Sequence, residues 1–239
     1  MTEKTKGSVD IQEHGMDRDG NRTSFDRRLF MQLQVFGECT DKKALIQELE
    51  RRSVEGVVYQ DVNDPRGVGI LTMGEDPKFF ATKATELFNS PPFESLPMKQ
   101  GFTMFGRSYS SGYEPDLEEW LVSKPRRTAL NQDWPWAVWY PLRRTGEFAT
   151  LPAEEQKGIL REHGTIGRSY AEEDLAHDIR LACHGIDTND NEFLIGLVGK
   201  DLFPLSHLVQ RMRKTQQTSK YIQSMGPFFV GHVVWQSKV

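Results

Sequence analysis

His163, Tyr140 and a scatter of arginines are the residues of this chain whose types and spacing could do chemistry. Tyr140 lies in Trp136-Ala-Val-Trp-Tyr140-Pro-Leu-Arg-Arg144, an aromatic strand that runs into cations. His163 lies in Arg161-Glu-His163-Gly-Thr-Ile-Gly167-Arg-Ser-Tyr170, read as a helix end followed by a glycine that frees the ring to point into a cleft. Arg126, Arg127, Arg143 and Arg144 bracket the phenol, and guanidinium groups pair with carboxylates through two parallel hydrogen bonds. One imidazole, one oxidisable phenol and several cations suit an anionic, iron-bearing macrocycle better than a bare ion, because haem iron needs only one proximal protein ligand. Each residue also has a structural reading. His163 could be a helix-terminal histidine favoured by the dipole, Tyr140 a core tyrosine, and the arginines a solvated surface.

Other chemistries find less support. The six histidines show no His-x-His, His-Glu-x-x-His or facial-triad spacing for a multi-ligand metal site. There is no P-loop, no Gly-x-Gly-x-x-Gly and no Gly-x-Ser-x-Gly, so nucleotide-binding and hydrolase readings lack their motifs. The net charge of −4 gives no basic field for nucleic acid. No apolar run approaches the ~20 residues a membrane helix needs. The polar N-terminus lacks the apolar stretch of a secretory signal. Two cysteines, Cys39 and Cys183, far apart in sequence, fit reduced thiols in a cytoplasmic protein.

The elements that must position these residues follow from periodicity in a chain of 239 residues, 37% hydrophobic and 27% charged. Residues 1–27 are polar and aperiodic, read as a flexible arm or an arm on a partner subunit. Alternation over 29–36 gives a strand, and Asp41 caps a helix with apolar Ala44, Leu45 and Leu49. Strands over 54–62 and 68–73 flank the turn Asn63-Asp-Pro-Arg-Gly67; a helix opens at Asp76-Pro77, and a strand covers 102–109. The order is β-α-β-β-α-β. It repeats over 134–239: strand 136–142, helix to about Glu162, strands 175–183 and 193–198, helix 203–213 and strand 227–235. The expected fold is therefore α+β, a duplicated ferredoxin-like unit with two sheets packed into one body. Its halves are residues 28–110 and 134–239, joined by a connecting segment at 111–133, and the C-terminal half carries the site.

At Trp-Tyr140-Pro-Leu-Arg-Arg, His163-Gly-Thr-Ile-Gly-Arg-Ser-Tyr170, Gly185-Ile-Asp, and Arg211-Met-Arg with Gly226-Pro-Phe-Phe-Val-Gly231, the chain resembles the chlorite dismutase superfamily and, within it, the coproheme decarboxylases. The resemblance implies a homo-oligomer, commonly a pentamer, that oxidatively decarboxylates iron coproporphyrin III to haem b with hydrogen peroxide as co-substrate. It implies His163 as the proximal iron ligand and Tyr140 as the tyrosine that becomes a radical. Arg144 and Arg126, with Arg127 as an alternative, would hold propionates, and Tyr109 or Tyr113 would fill a matching tyrosine position. The distal position counts back to Asp178, or to Arg180 if the two extra residues before Gly185 form a bulge. As strand neighbours two apart, Asp178 and Arg180 would share a face and His177 would point away. Gln216 would stand where the family has a glutamate that hydrogen-bonds the proximal histidine. Arg180 keeps open a chlorite-decomposing haem enzyme as the alternative, and a non-catalytic haem-binding protein is the third reading.

Overall fold

The computed structural model describes residues 9–238. Strands β1 (Glu13–Met16) and β2 (Arg22–Phe25) form a hairpin. The first ferredoxin-like unit follows as β3 (Phe30–Phe36), α1 (Lys42–Arg51), β4 (Gly56–Asp61), β5 (Val68–Gly74), α2 (Lys78–Ala81), α3 (Lys83–Phe88) and β6 (Met104–Arg107). A π-helical turn (Glu119–Ser123) runs into α4 (Lys124–Ala129). The second unit is β7 (Trp136–Arg144), α5 (Gly146–Thr150), α6 (Ala153–Glu172), β8 (His177–Ala182), β9 (Phe193–Gly199), α7 (Leu202–Met212), α8 (Gln216–Tyr221), β10 (Ile222–Met225) and β11 (Phe229–Gln236).

Both units are present, and the sheets they contribute are not separate. Strand order is β6-β3-β5-β4 in the first half and β11-β7-β9-β8 in the second. The fourth strand of each half then pairs with the second strand of the other, β11 with β4 over five positions and β6 with β8 at Arg107 and Ala182. The result is one closed sheet, which removes the edges that two open sheets would expose. The two-residue period divides the side chains. Leu33, Tyr59, Leu71, Trp139, Ile179, Leu181, Leu194 and Phe229 fill the interior. Val138, Tyr140, Leu142 and Leu197 face outward beneath α6 and α7, with Tyr170, Leu205 and Leu208. On the other half, α1 and α3 cover Phe36, Val58, Val68 and Ile70. Asp41 caps α1 as expected, its carboxylate accepting from the Ala44 amide at 3.1 Å.

Interior packing depends on small residues, as at Gly196. Gly196 on β9 stands directly across from Trp139 on β7, and a Cβ there would lie 2.6 Å from the indole ring. Gly196→Ala is expected to destabilise the fold by about 1–3 kcal/mol, the range for overpacking a close-packed core. An unchanged denaturation midpoint would show that the indole can shift aside.

The N-terminal segment departs from expectation. The described part of the presumed flexible arm is ordered as the β1–β2 hairpin. Glu13 accepts from Arg107 Nη1 and from the Ser110 amide, each at 2.9 Å, and the Ser110 hydroxyl bonds the His14 carbonyl. A Cβ at Gly15 would sit 2.3 Å from the Glu114 carbonyl oxygen, so glycine permits the close approach. Residues 1–8 of the arm lie outside the described residues. The hairpin fastens the 108–114 loop, which carries Tyr109, Ser111 and Glu114 toward the candidate site.

Candidate functional site

The site lies on the outer face of β7-β9-β8, beneath α6. Register places Tyr140, Ile195 and Arg180 in one row across the three strands, with Val138, Leu197 and Asp178 in the next row. Tyr140 and Arg180 are therefore two strand spacings apart, roughly 10 Å. His177 points to the opposite side, where it stacks on Trp134 at 3.6 Å and bonds Asp174 at 2.8 Å. The expected face-sharing of Asp178 and Arg180 matches this register. No bulge separates them: Arg180 Nε binds Asp178 Oδ2 at 2.9 Å.

His163 does not end a helix. α6 runs unbroken from Ala153 to Glu172, and His163 lies at its middle. Ile159, His163, Ile166 and Tyr170 form a stripe at helical spacing, of which Ile159 and Tyr170 are buried against the sheet side. The ring reaches the cleft because it belongs to this stripe, not because Gly164 releases it. Its Nδ1 lies 3.3 Å from Thr215 Oγ1, and its Nε2 makes no hydrogen bond among the described residues. Burial pushes the imidazole below its usual range, and the Arg180 guanidinium adds to the effect. The shift favours the neutral ring, the state in which a nitrogen lone pair can bind a metal.

Tyr140 is 6% exposed and stacks on Phe228 with ring centroids 4.6 Å apart. Burial pushes its phenol well above the usual range, and the Asp178 carboxylate adds to this. Its hydroxyl makes no hydrogen bond among the described residues and is not one of the fully buried unpaired atoms, so it keeps access to solvent. Of the two tyrosine alternatives, Tyr109 lines the cleft, 5.4 Å from the Phe193 ring and in the field of Arg180, Arg144 and Asp178. Tyr113 is 64% exposed at the rim, near Lys157.

The cations divide in the same way. Arg144 lies between the rings of Phe148 and Phe193, 4.5 and 4.7 Å from their centroids, with Nε on Glu192 at 3.1 Å. Arg126 turns away and binds Glu55 at 2.7 Å, and Arg127 binds Glu119 at 2.6 Å on the exposed side of α4. The residue of α4 that does face the site is Lys124, 4.2 Å above the Trp120 ring. Burial lowers its proton affinity, offset by the Asp178 charge. A small pocket, partly open to solvent, is lined by Tyr109, Glu114, Trp120, Lys124, Asp178 and Arg180. Sequence reasoning passed over Lys124 and Trp120; a one-turn i, i+4 pair of aromatic and cation was the signal available. Gln216 is likewise not at the histidine. Its amide donates to Glu162 Oε2 at 3.0 Å, and Thr215 holds the Nδ1 side instead.

The structure thus puts Tyr109, Asp178 and Arg180 in one pocket, Tyr140 on the same strand face, His163 on the covering helix in the field of Asp178 and Arg180, and Arg144 in the field of Tyr109, and it leaves Arg126, Arg127 and Tyr113 outside. A model of the family described as chlorite dismutase matches residues 83–234, well over half of the chain. The chain belongs to the chlorite dismutase family. Two relatives named coproheme decarboxylase, from two strains of Thermus thermophilus, are each 30% identical over 138 residues, 53% of this chain and 53% of theirs. The chain spans about half the length of the relatives it matches in sequence. Two solved structures share the fold of this family member. A haem-binding protein from Thermus thermophilus superposes with a TM-score of 0.69 at 20% identity, over 87% of this chain and 92% of that one. A mutant chlorite dismutase from Candidatus Nitrospira defluvii gives 0.68 at 13% identity over the same shares.

The donor set fits an iron porphyrin. Among the described residues no group of three or more His, Cys, Asp and Glu side chains could hold a bare metal ion. A single imidazole with a free Nε2 would hold a metal only if that metal arrived in a ligand frame of its own, and the cations near the cleft would then face its anionic rim.

Proposed function

We propose that the C-terminal half of this family member binds iron coproporphyrin III through His163 and oxidatively removes two propionate carboxyls with hydrogen peroxide, yielding haem b. The observation that carries the reading is Tyr140: a ring buried in the outward strand face that α6 covers with His163, with a hydroxyl that makes no protein hydrogen bond among the described residues and keeps access to solvent. The iron, when bound, supplies the oxidising power of peroxide. His163 Nε2 holds the iron, and the protein's remaining work is orientation and proton handling. Arg144 and Lys124 offer charge-assisted hydrogen bonds to propionates, which fixes the substrate's rotation in the cleft. Tyr140 gives up its hydroxyl hydrogen as proton and electron, then takes a hydrogen from the propionate carbon next to the ring. The carbon radical left behind passes its second electron to the peroxide-derived oxidant as the bond to the carboxylate breaks, so carbon dioxide leaves and a vinyl group remains. Per propionate, one peroxide and one proton are consumed and two waters form, so the two electrons released are accounted for.

The relatives named coproheme decarboxylase support this choice of substrate. A homopentamer in a cytoplasmic setting belongs to the same reading, supported by the resemblance and by two buried, unpaired cysteines. No helix among the described residues is long and apolar enough to cross a membrane. Adding iron coproporphyrin III and then peroxide, with product masses followed, tests the activity. Two successive losses of carbon dioxide plus two hydrogens are expected; binding with no mass loss would leave a haem-binding protein without this activity. Arg180 favours a second reading, chlorite decomposition with a resident haem, because it is a cation on the strand face opposite the iron ligand. Oxygen release from chlorite at the expense of any decarboxylation would select it.

The cations make a separate prediction. Arg144→Ala and Lys124→Ala are expected to weaken binding of the four-propionate porphyrin more than that of haem b, each by about 1.5–3 kcal/mol for a desolvated charge-assisted contact. Arg126→Ala is expected to do less, because its guanidinium is engaged with Glu55. Titrations giving equal losses for both porphyrins would remove these residues from propionate recognition.

A further inference from the structure

We infer that Thr215 is the positioning residue of the iron ligand, a neutral hydroxyl that fixes His163 as the Nδ1–H tautomer and presents a bare Nε2 to the metal. The inference rests on the haem-binding reading above and adds to it how this chain tunes its ligand. A threonine hydroxyl has one hydrogen to donate and two lone pairs to accept with. Thr215 is 2% exposed, so water does not complicate the count. Its Oγ1 donates to the Met212 carbonyl at 2.8 Å, nearer than its other two candidate acceptors, the Thr218 hydroxyl at 3.4 Å and His163 Nδ1 at 3.3 Å. It accepts from the Thr218 amide at 3.4 Å as the cap of α8. One lone pair remains, and His163 Nδ1 lies 3.3 Å from it. With the only hydrogen already committed, that contact is a hydrogen bond only if Nδ1 carries the proton. Nε2 is then unprotonated.

The contact is braced from both sides. The Gln216 amide donates to Glu162 Oε2 at 3.0 Å, so two successive residues of α6 grip two successive residues at the start of α8. The neighbouring glutamine side chain that is buried, Gln217, is 9% exposed and its Oε1 has no partner, so α8 brings no carboxylate to this wall from positions 215 to 217. A neutral acceptor leaves the Nδ1 proton on the ring and gives the imidazole little anionic character. An iron held this way receives less electron density than one whose histidine is paired with a carboxylate.

The test uses Thr215→Val, which removes the hydroxyl at nearly constant shape, and Thr215→Ser, which keeps it. Nitrogen chemical shifts of the histidine rings in the porphyrin-free protein report the tautomer directly. The expected result is an Nδ1–H signature for His163 in the native protein and in Thr215→Ser, and a substantial Nε2–H population in Thr215→Val. In haem-loaded protein, Thr215→Val is expected to lose haem about 10-fold or more faster, the lower range for a lost ligand-orienting partner, and to shift the iron–histidine stretching band. Native tautomer and native stretching band in Thr215→Val would overturn the assignment. If no variant nor the native protein retains haem, the haem reading fails, while the tautomer measurement still decides the role of Thr215. Because Thr215 also caps α8, loss of signal in Thr215→Val together with Thr215→Ser behaving like it, rather than like the native protein, would also count against the hydroxyl.

Discussion

Tyr140→Phe is expected to fold and bind the porphyrin normally while its decarboxylation falls by about 10²–10⁴-fold, the usual contribution of a positioned proton-transfer group. The structural side of this expectation follows from burial. The ring is buried, with 6% of the residue exposed, but the hydroxyl keeps access to solvent and has no protein hydrogen bond to lose among the described residues. Removing it is therefore expected to change stability by less than about 1 kcal/mol. The stacking on Phe228 survives, since phenylalanine keeps the ring. A tyrosine kept for structure behaves in the opposite way, losing stability and keeping turnover. Thermal denaturation and product masses on the same preparation separate the two. Normal haem b yield from Tyr140→Phe would remove the residue on which the decarboxylase reading turns.

Strand-borne features of this chain were readable in advance, and helix-borne ones much less so. The two-residue period of β7 and β8 pairs Asp178 with Arg180 and sets Tyr140 and Arg144 on a common face, because a strand allows only two directions. A helix allows many. Arg126, Arg127 and Lys124 lie within one turn of α4, and only the packing of α4 on β8 turns Lys124 toward the site and sends Arg126 to Glu55. The same ambiguity moved the partner of His163 by one residue, from Gln216 to Thr215. Gly164 looked like a stop signal, since an interior glycine costs about 1 kcal/mol against alanine. Helix α6 passes through Gly158, Gly164 and Gly167 regardless, because the stripe from Ile159 to Tyr170 buries itself against the sheet and outweighs propensity. The hairpin at 13–25 was hidden for a different reason. Its stability comes from Glu13 meeting Arg107 and Ser110, far along the chain, and no local pattern announces such a contact. Barrel closure was hidden likewise, resting on strand pairs between halves that each look complete.

His163→Ala is expected to produce the largest change in the ferric spectrum of any single substitution, because no other histidine among the described residues lies on the α6 wall of the cleft. The other histidines are committed elsewhere. His177 is bound to Asp174 on the opposite side of β8, His207 to the Tyr170 hydroxyl, and His14 to Asp10. His232 packs edge-on against Trp136. His184 packs against Phe193, near the Arg144 end of the cleft, on a different element from the α6 stripe. The fold itself should tolerate the change. Alanine forgoes one hydrogen bond to Thr215, worth about 1 kcal/mol, and gains several tenths in helix propensity at an interior position of α6. The porphyrin would still meet Arg144, Lys124 and the apolar wall, so some binding persists through the propionates. Its iron, however, would lack a protein ligand, and affinity should fall by more than the roughly 10–100-fold that loss of a ligand's hydrogen-bond partner typically costs. Exogenous imidazole offers the decisive control. If the truncated side chain leaves a ligand-sized gap over the iron, millimolar imidazole should restore the histidine-like spectrum in His163→Ala and do nothing comparable in the native protein. A variant whose ferric spectrum remains histidine-bound without added imidazole would place the ligand elsewhere in the chain, and the assignment of α6 as the proximal wall would fall with it.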